Sequence, residues 1–448
     1  MRILAIDRRN NSLDWLMRCQ DAGHEVLWFQ MPYPNGDHNY AGDGLVPKVE
    51  QFSDLQKKWM DWADLIFCSD NDVYPEFLAP FFEKGYPIFG TNMEAARLEN
   101  EREVGQKCFE RGGLETIPSK LFFDYEIAAV YVEKRGVACV SKPNWFSSSA
   151  LTYVAPTAAA MVWMLRENWK KKPDMRKAAA KFGFVIQDKV DGCEMAVGGW
   201  FGPGGWSQWY SENWEYKKFM DGDRGVGTGE QGTLKRYVKR SKLASKVLLP
   251  LTETLERVGY VGYFDVNCII QKNGDARPLE ITARCGWPHF HNHIALLEGD
   301  PAQWMKDLLD GRDTLQVRGN ELSVSVVYTI PDYPFSRLTQ KGTCHIPIWG
   351  ATDRKHVHLS EAYLKNEVQT QVGNKVFMLP GLASAGDYIL VCTGTGSTIT
   401  AARFSAYAAA RKVSMPNDPQ FRGDIGKGRL VGQLPVIQLL GYATGVEY

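Results

Sequence analysis

The segment of residues 263–284 reads YFDVNCIIQKNGDARPLEITAR. It predicts a β-hairpin, because two apolar runs flank Asn273 and Gly274, which favour a tight turn. The hairpin brings Asp265 and Glu280 onto neighbouring strands. The segment therefore predicts an antiparallel strand pair that carries acidic side chains.

Polar side chains share one face of the second strand of this hairpin. Because side chains alternate, Glu280, Thr282 and Arg284 lie on the same face. Carboxylates with a hydroxyl suit Mg²⁺, which prefers oxygen ligands and phosphate, and an arginine fork suits a phosphoryl oxygen. Charge pairs on an exposed sheet face are the structural alternative.

The N-terminal part of the chain alternates strand and helix patterns. Short apolar runs at 3–6, 26–29, 64–68 and 87–90 are separated by helical patterns. This order predicts an open, mostly parallel α/β sheet, whose ligands bind at the carboxyl ends of the strands. No Gly-x-Gly-x-x-Gly follows the first strand, which argues against a bound dinucleotide.

Composition narrows the class of protein. The 448 residues allow two to four domains, and 52 basic residues balance 52 acidic ones, so neither direct nucleic-acid binding nor an acidic membrane surface is expected. The 44% hydrophobic and 23% charged fractions are typical of soluble globular proteins, and no apolar run is long enough to span a bilayer. The first residues do not form a signal peptide, and nine scattered cysteines favour a reducing cytoplasm.

Four separated segments resemble the ATP-grasp ligases, and among them the glycinamide ribonucleotide synthetase (phosphoribosylamine–glycine ligase) family. They read YPIFGTNMEAARLE at 86–99, DGDRGVGTGEQG at 221–232, LEITARCGWP at 279–288 and QFRGDIG at 420–426. The resemblance implies an α/β ATP-grasp fold. It divides the chain into an N-terminal Rossmann-like (pre-ATP-grasp) domain at 1–98, an ATP-grasp domain at 99–318 with a mobile lid at about 119–189, and a C-terminal α+β domain at 319–448.

The resemblance implies a site for ATP. Lys142 would bind the α- and β-phosphates, and Arg102 stands where the family has a second phosphate-binding lysine. Serines of the lid loop would cradle phosphate, and three residues at the hinge of the lid would line the adenine slot, partly through backbone groups. These are Ser147, Ser148 and Ser149, then Gln187, Asp188 and Val190. Glu194 would accept hydrogen bonds from the ribose hydroxyls.

The resemblance also implies metal and substrate residues. Glu280 and Thr282 would hold Mg²⁺ with help from Asp265, and Arg284 would stabilise an acyl phosphate, acting with Lys142 as a catalytic residue. The other substrate contacts would come from the glycine-rich loop and from the stretch after the hairpin. They are Asp221, Thr228, Gly229, Gly286, Trp287 and His289.

The implied reaction is ATP- and Mg²⁺-dependent amide formation through an acyl phosphate, with glycine as the carboxylate. The sequence departs from the family pattern at 69–74, 143–149, 286–289 and 385–387, where the substrates rather than ATP would bind. An amine acceptor other than phosphoribosylamine is therefore expected. The alternatives are the parent phosphoribosylamine–glycine ligase, a nucleotide-binding module without turnover and, less favoured, a biotin-dependent carboxylase. A monomer or small homo-oligomer is expected.

Three histidines alternate at His289, His291 and His293. On a strand they would share a face and could hold zinc. A helical pattern starts at Ile294, so capping or substrate contact is the favoured interpretation.

Overall fold

The computed structural model describes residues 1–31, 37–144, 152–335 and 342–448. Residues 145–151, which include the lid-loop serines Ser147, Ser148 and Ser149, lie outside the described residues. Within the described ranges, no helix is both long and apolar enough to cross a bilayer.

The N-terminal part forms a four-stranded parallel sheet in the order β2-β1-β3-β4. Apolar side chains on both faces bury the sheet between helices, as the alternating sequence pattern predicts. The elements are β1 (Arg2–Asp7), α1 (Leu13–Asp21), β2 (Glu25–Gln30), α2 (Phe52–Asp54), α3 (Met60–Trp62), β3 (Leu65–Cys68), α4 (Tyr74–Glu83) and β4 (Ile88–Phe89), with a π-helical turn at Leu55–Trp59 joining α2 to α3.

Two helices lead from this sheet to a small antiparallel sheet with the strand order β5-β8-β6-β7. We call residues 119–188 the lid. The elements are α5 (Met93–Asn100), α6 (Arg102–Arg111), β5 (Ser119–Phe122), α7 (Tyr125–Arg135), β6 (Cys139–Pro143), β7 (Tyr153–Val154), α8 (Ala158–Trp163), α9 (Pro173–Phe182) and β8 (Phe184–Asp188). A π-helical segment at Met164–Trp169 continues α8, and the lid helices share a core of their own.

An eight-stranded antiparallel sheet forms the centre of the molecule, in the order β15-β14-β9-β10-β13-β18-β23-β20. Its first part contains β9 (Cys193–Gly202), β10 (Gly205–Glu215), β11 (Lys218–Met220), β12 (Arg224–Gly227), β13 (Gly232–Val238), α10 (Lys242–Val247), α11 (Thr252–Arg257), β14 (Gly262–Ile270), β15 (Ala276–Thr282) and α12 (His289–Leu296). Strands β11 and β12 pair with each other outside this sheet. The predicted hairpin is β14–β15, and Asp265 lies opposite Thr282 in its register.

The remaining elements extend this sheet and add a three-stranded and a two-stranded sheet. They are β16 (Leu297–Glu298), α13 (Gln303–Leu309), β17 (Gln316–Val317), β18 (Leu322–Thr329), β19 (Cys344–Ile348), β20 (Val357–Leu359), β21 (Ala362–Val372), β22 (Lys375–Ala385), β23 (Tyr388–Gly396), α14 (Ile399–Lys412) and α15 (Leu430–Leu439). Strands β18, β20 and β23 join the eight-stranded sheet, so that sheet crosses residue 318, where a domain boundary was expected. The division into three domains stays a prediction.

The two faces of the central sheet are covered by different helices and differ in polarity. One face packs on α10, α11 and α14 through an apolar core that includes Phe264 and Val266. The other face, which carries Tyr263 and Asp265, lies under α12 and holds many buried polar groups. The three alternating histidines stand in α12 and not on a strand, so the zinc site expected from a shared strand face is wrong. In a helix, His289 and His293 share one side. The His291 ring contacts His358 instead.

Candidate active site

A cleft of about 250 Å³ lies between the lid and the central sheet. Its walls come from α5, α6, the lid strands β5, β6 and β8, and from β15. Four predicted site residues line it: Arg102, Lys142, Gln187 and Glu280. Residues that are far apart in sequence therefore meet in one cavity, as the resemblance implied.

Two cations face this cavity, buried Lys142 and half-buried Arg102. Lys142 on β6 is 8% exposed, and burial, followed by the charge of Arg102, lowers the pKa of its amine to about 8. Arg102 begins α6 and donates from Nε to the Pro143 carbonyl at 2.9 Å, and burial lowers the pKa of its guanidinium. Neither cation forms an ion pair with any described residue. Buried positive charge without a partner is costly in the free protein, and it suits a bound polyanion.

Glu280 supplies negative charge at the same cavity. Its Oε1 lies 2.6 Å from Lys217 Nζ. The charge of Lys217, together with those of Lys142 and Arg102, lowers the pKa of Glu280 to about 2, although burial acts in the opposite direction. Glu280 is therefore ionised at neutral pH. An ionised carboxylate next to two buried cations is a reasonable ligand for a metal–polyphosphate complex.

The other predicted metal residues lie on the same face of the hairpin. Asp265 pairs with Thr282 in the register of β14 and β15, and Asn267 pairs with Glu280. Asp265 is fully buried, and its Oδ2 accepts hydrogen bonds from Asn213 Nδ2 and Tyr263 Oη, each at 2.8 Å. Its Oδ1 has no partner among the described residues. Whether Asp265, Glu280 and Thr282 share one ion stays a prediction.

Of the residues predicted to bind the adenine and the ribose, only Gln187 is among those that line the cavity. Gln187 lines it, whereas the Asp188 carboxylate is held by Arg135, with Nη2 to Oδ2 at 2.9 Å, and Val190 follows in the loop after β8. Glu194 does not line the cavity, and its Oε2 lies 2.9 Å from Arg429 Nη1.

Arg284 is fixed by an acidic residue of α5. Its Nη2 lies 2.9 Å from Glu99 Oε1, and Glu99 Oε2 accepts a hydrogen bond from the Ala283 amide at 2.8 Å. Helix α5 thus positions the stretch that follows β15. Glu99 was not predicted as a site residue, although it closes the quoted segment 86–99.

The glycine-rich loop packs against the C-terminal segment that was recognised in the sequence. Asp221 Oδ1 accepts a hydrogen bond from the Gly423 amide at 2.7 Å, and the fully buried Arg422 side chain pairs with Asp223 at 2.8 Å. Thr228 Oγ1 donates to the Lys217 carbonyl at 2.9 Å, and Gly229 is exposed beside it. The loop residues predicted to contact substrate therefore also position Lys217. Their contact with substrate stays a prediction.

The predicted substrate residues that follow the hairpin have different surroundings. Gly286 approaches the His289 ring so closely that a Cβ would lie 2.9 Å from His289 Cγ. The Trp287 ring packs on Tyr388, with 4.4 Å between ring centroids. The His289 side chain points toward the end of β10, where its Nε2 lies 3.2 Å from Glu215 Oε1.

Several charged residues of the site were missed by the sequence analysis. They are Glu99, Glu215, Lys217, Glu230 and Arg429. The charged residues of Glu215-Tyr216-Lys217, which stand just before the glycine-rich loop, are the signal that could have indicated two of them. The partners of the others come from distant segments, so only the fold shows them.

Comparisons with known proteins agree with this architecture. The phosphoribosylamine–glycine ligase of Ralstonia nicotianae is 24% identical over 369 residues, which cover 77% of this chain and 79% of that protein. The crystal structure of phosphoribosylamine–glycine ligase from Thermotoga maritima matches with a TM-score of 0.70 at 18% identity, over 95% of this chain and 100% of that one.

A second group of matches is more distant. The biotin carboxylase domain of the 2-oxoglutarate carboxylase from Hydrogenobacter thermophilus, crystallised with MgADP and bicarbonate, matches with a TM-score of 0.61 at 12% identity, over 94% of this chain and 91% of that one. No family model matches the chain. The structural similarities confirm the predicted ATP-grasp fold.

Proposed function

We propose that this chain, an ATP-grasp protein related in sequence to the phosphoribosylamine–glycine ligases, is an ATP-dependent ligase that joins a carboxylate to an amine. The observation that carries the proposal is the pair of cations without an ion pair among the described residues, buried Lys142 and half-buried Arg102, on a cavity that also holds ionised Glu280. This arrangement suits a triphosphate with its Mg²⁺.

The residues fit these groups because they supply cations for phosphate and oxygen ligands for Mg²⁺. Lys142 and Arg102 would hold phosphate oxygens. Glu280 and Thr282 would hold Mg²⁺, helped by Asp265, which lies opposite Thr282 in the hairpin. When bound, Mg-ATP would supply the phosphoryl group that turns a carboxylate into an acyl phosphate, a good electrophile for an amine. With a pKa of about 8, Lys142 is mostly protonated at pH 7.

The chain's own residues would align the reactants and exclude water. Arg284, held by Glu99, would stabilise negative charge on the acyl phosphate. The lid would cover the cavity and keep water from the reactive carbonyl. Fixed charges in a closed site contribute more to rate than the same charges in solution, because little reorganisation is needed.

We propose glycine as the carboxylate and an amine acceptor other than phosphoribosylamine. Support comes from the stretch after the hairpin, where Trp287 and His289 stand at positions that depart from the family pattern. The Trp287 ring packs on Tyr388, with 4.4 Å between ring centroids, and burial together with the Asp387 charge raises the pKa of the neighbouring Glu361 to about 8. An aromatic surface without a cation favours an acceptor that carries no phosphate ester.

The parent reaction of phosphoribosylamine and glycine is the second candidate. It is favoured by the relatives that match along most of this chain, which are named phosphoribosylamine–glycine ligases. The cytoplasmic location and the oligomeric state stay predictions from the sequence.

An ADP- and phosphate-release assay tests the proposal. The full chain is supplied with Mg-ATP, glycine and a panel of amines that includes phosphoribosylamine, cationic amines and neutral amino sugars. Release that needs both glycine and a non-phosphorylated amine supports the proposal, and mass spectrometry of the amide identifies the product. Release with phosphoribosylamine alone favours the parent reaction. Nucleotide binding without release for any amine contradicts the ligase proposal and favours a binding module.

A further inference from the structure

A second group of charged side chains lies outside the nucleotide cavity, under α12. Glu215 ends β10, Glu230 stands near the end of the glycine-rich loop, and His289 is the first residue of α12. Their side chains are 7%, 5% and 3% exposed, respectively. One possible ligand atom from each residue lies within 4.8 Å of the other two.

Two members of this group, His289 and Glu230, have too few partners, whereas both oxygens of Glu215 accept hydrogen bonds from Asn267 Nδ2 at 3.2 Å. His289 Nε2 lies 3.2 Å from Glu215 Oε1 and 3.4 Å from Glu230 Oε2. Neither ring nitrogen of His289 forms a hydrogen bond with the described residues, and Glu230 Oε1 has no partner among them. A buried polar group without a partner costs about 1–3 kcal/mol, and a charged one costs more.

Few cationic side chains are available to neutralise Glu215 and Glu230. Lys217 lies 3.0 Å from Glu215 but is shared with Glu280 at 2.6 Å. Lys235, the other buried lysine nearby, bonds Tyr263 Oη and His293 Nε2, each at 3.0 Å, rather than a carboxylate. Within the described part of the chain, Glu230 therefore has no ion pair with a lysine or arginine.

We propose that Glu215, Glu230 and His289 bind a divalent transition-metal ion, Zn²⁺ or Mn²⁺. Two carboxylates and one imidazole are a common donor set for these ions, whereas Mg²⁺ avoids nitrogen ligands. Metal–ligand bonds of about 2.0–2.2 Å place two ligand atoms roughly 3–3.5 Å apart. The distances from His289 Nε2 to the two carboxylates match this spacing.

This ion is distinct from the Mg²⁺ expected with ATP at Glu280. Lys217 separates the two sites, because its amine lies between Glu215 and Glu280. The proposal does not depend on ligase activity. It assigns His289 to metal binding, whereas the sequence resemblance placed this residue at the substrate.

Metal analysis of the full chain tests the proposal without nucleotide. The protein is incubated with ZnCl₂ or MnCl₂, desalted, and assayed by inductively coupled plasma mass spectrometry, with MgCl₂ as a comparison. We expect close to one Zn²⁺ or Mn²⁺ per chain, and an anomalous-scattering peak between Glu215, Glu230 and His289. Glu230→Gln and His289→Asn should each weaken binding at least ~10-fold.

His291→Asn is the matched control, because His291 lies on the same helix and is also buried without a partner. It should keep the ion. Circular dichroism establishes that each variant is folded, and a Tm increase on adding ZnCl₂ or MnCl₂ should occur in the wild type and in His291→Asn alone. The proposal is overturned if the wild type binds no transition ion, if Glu230→Gln and His289→Asn retain it, or if binding requires ATP.

Discussion

Lys217 Nζ lies 2.6 Å from Glu280 Oε1, although 62 residues of chain separate the two positions. The same amine lies 3.0 Å from Glu215 Oε2. One lysine therefore joins the acid of the nucleotide cavity to the buried acids under α12. Its backbone is held by Thr228, whose amide and Oγ1 both bond the Lys217 carbonyl, at 2.8 and 2.9 Å.

Removing the charge of Glu280 should lower stability at neutral pH but not in acid. Lys217 lowers the pKa of Glu280 from 4.5 to about 2, so its ionised form stabilises the fold above pH 4.5, and this contribution is lost as the pH falls toward 2. We expect Glu280→Gln to lower Tm at pH 7, by a few degrees at most since the side chain is 36% exposed, with the gap narrowing at pH 3 and closing toward pH 2. Calorimetry over this pH range measures the difference.

Glu256→Gln is the control for this prediction, because Glu256 is exposed and forms no ion pair with a described residue. Its Tm should follow that of the wild type. An equal Tm deficit of Glu280→Gln at pH 7 and pH 3 would show that the ionised form of Glu280 does not stabilise the fold.

Replacing Lys142 should stabilise the protein and abolish turnover. Burial lowers the pKa of Lys142 from 10.5 to about 8, so the folded state carries this charge at a cost below pH 8, and the cost disappears as the pH rises to 10.5. We expect Lys142→Met to raise the free energy of unfolding by about 1–3 kcal/mol at pH 7 and to reduce turnover at least ~100-fold. Urea denaturation at pH 7 and pH 10 measures the gain, which should shrink at the higher pH.

Lys177→Met, an exposed lid substitution, is the comparison. It should change neither quantity. A Lys142→Met protein that keeps turnover would remove Lys142 from the phosphate site, and one that loses stability would contradict the inferred charge burial.

Arg422 should be the residue that fixes the glycine-rich loop. Its fully buried guanidinium contacts Asp223 at 2.8 Å, Asp424 at 2.5 Å and the Lys218 carbonyl at 2.8 Å. Arg422→Met leaves these acceptors without their donor, so we expect a loss of about 3–5 kcal/mol in the free energy of unfolding. Hydrogen exchange should accelerate in residues 218–228. Arg411→Met, on the exposed side of α14, should change neither measurement, and equal exchange in both variants would refute the assignment.

Trp287 should contribute to the choice of amine. Its ring packs on Tyr388, with 4.4 Å between ring centroids, at a position that departs from the family pattern. With the amine that supports turnover, we expect Trp287→Ala to raise the KM for that amine at least ~5-fold while the KM for ATP stays unchanged. Trp163→Ala, which changes an exposed tryptophan of α8, is the control. A parallel rise in both KM values would indicate general damage instead of acceptor recognition.

Short-range patterns in the chain were enough to predict much of the fold. The alternation around Asn273–Gly274 predicted the β14–β15 hairpin, and the strand–helix order predicted the parallel N-terminal sheet. Of the lining residues, Glu280 followed from the hairpin pattern, whereas Arg102 and Lys142 were indicated by the family resemblance. The hairpin and the sheet follow from hydrogen-bonding period and turn chemistry, which act over a few residues.

The sequence alone determined the fold class and the hairpin, and its family resemblance indicated Lys142 and Arg102 as cations of the proposed nucleotide cavity. Tertiary structure alone decided which charges meet: Lys217 with Glu280, Glu99 with Arg284, and the gathering of Glu215, Glu230 and His289 under α12. It also turned the histidine stretch into the start of a helix. The physical reason is that electrostatic partnership depends on distance and burial, and both are set by long-range packing that no local pattern records.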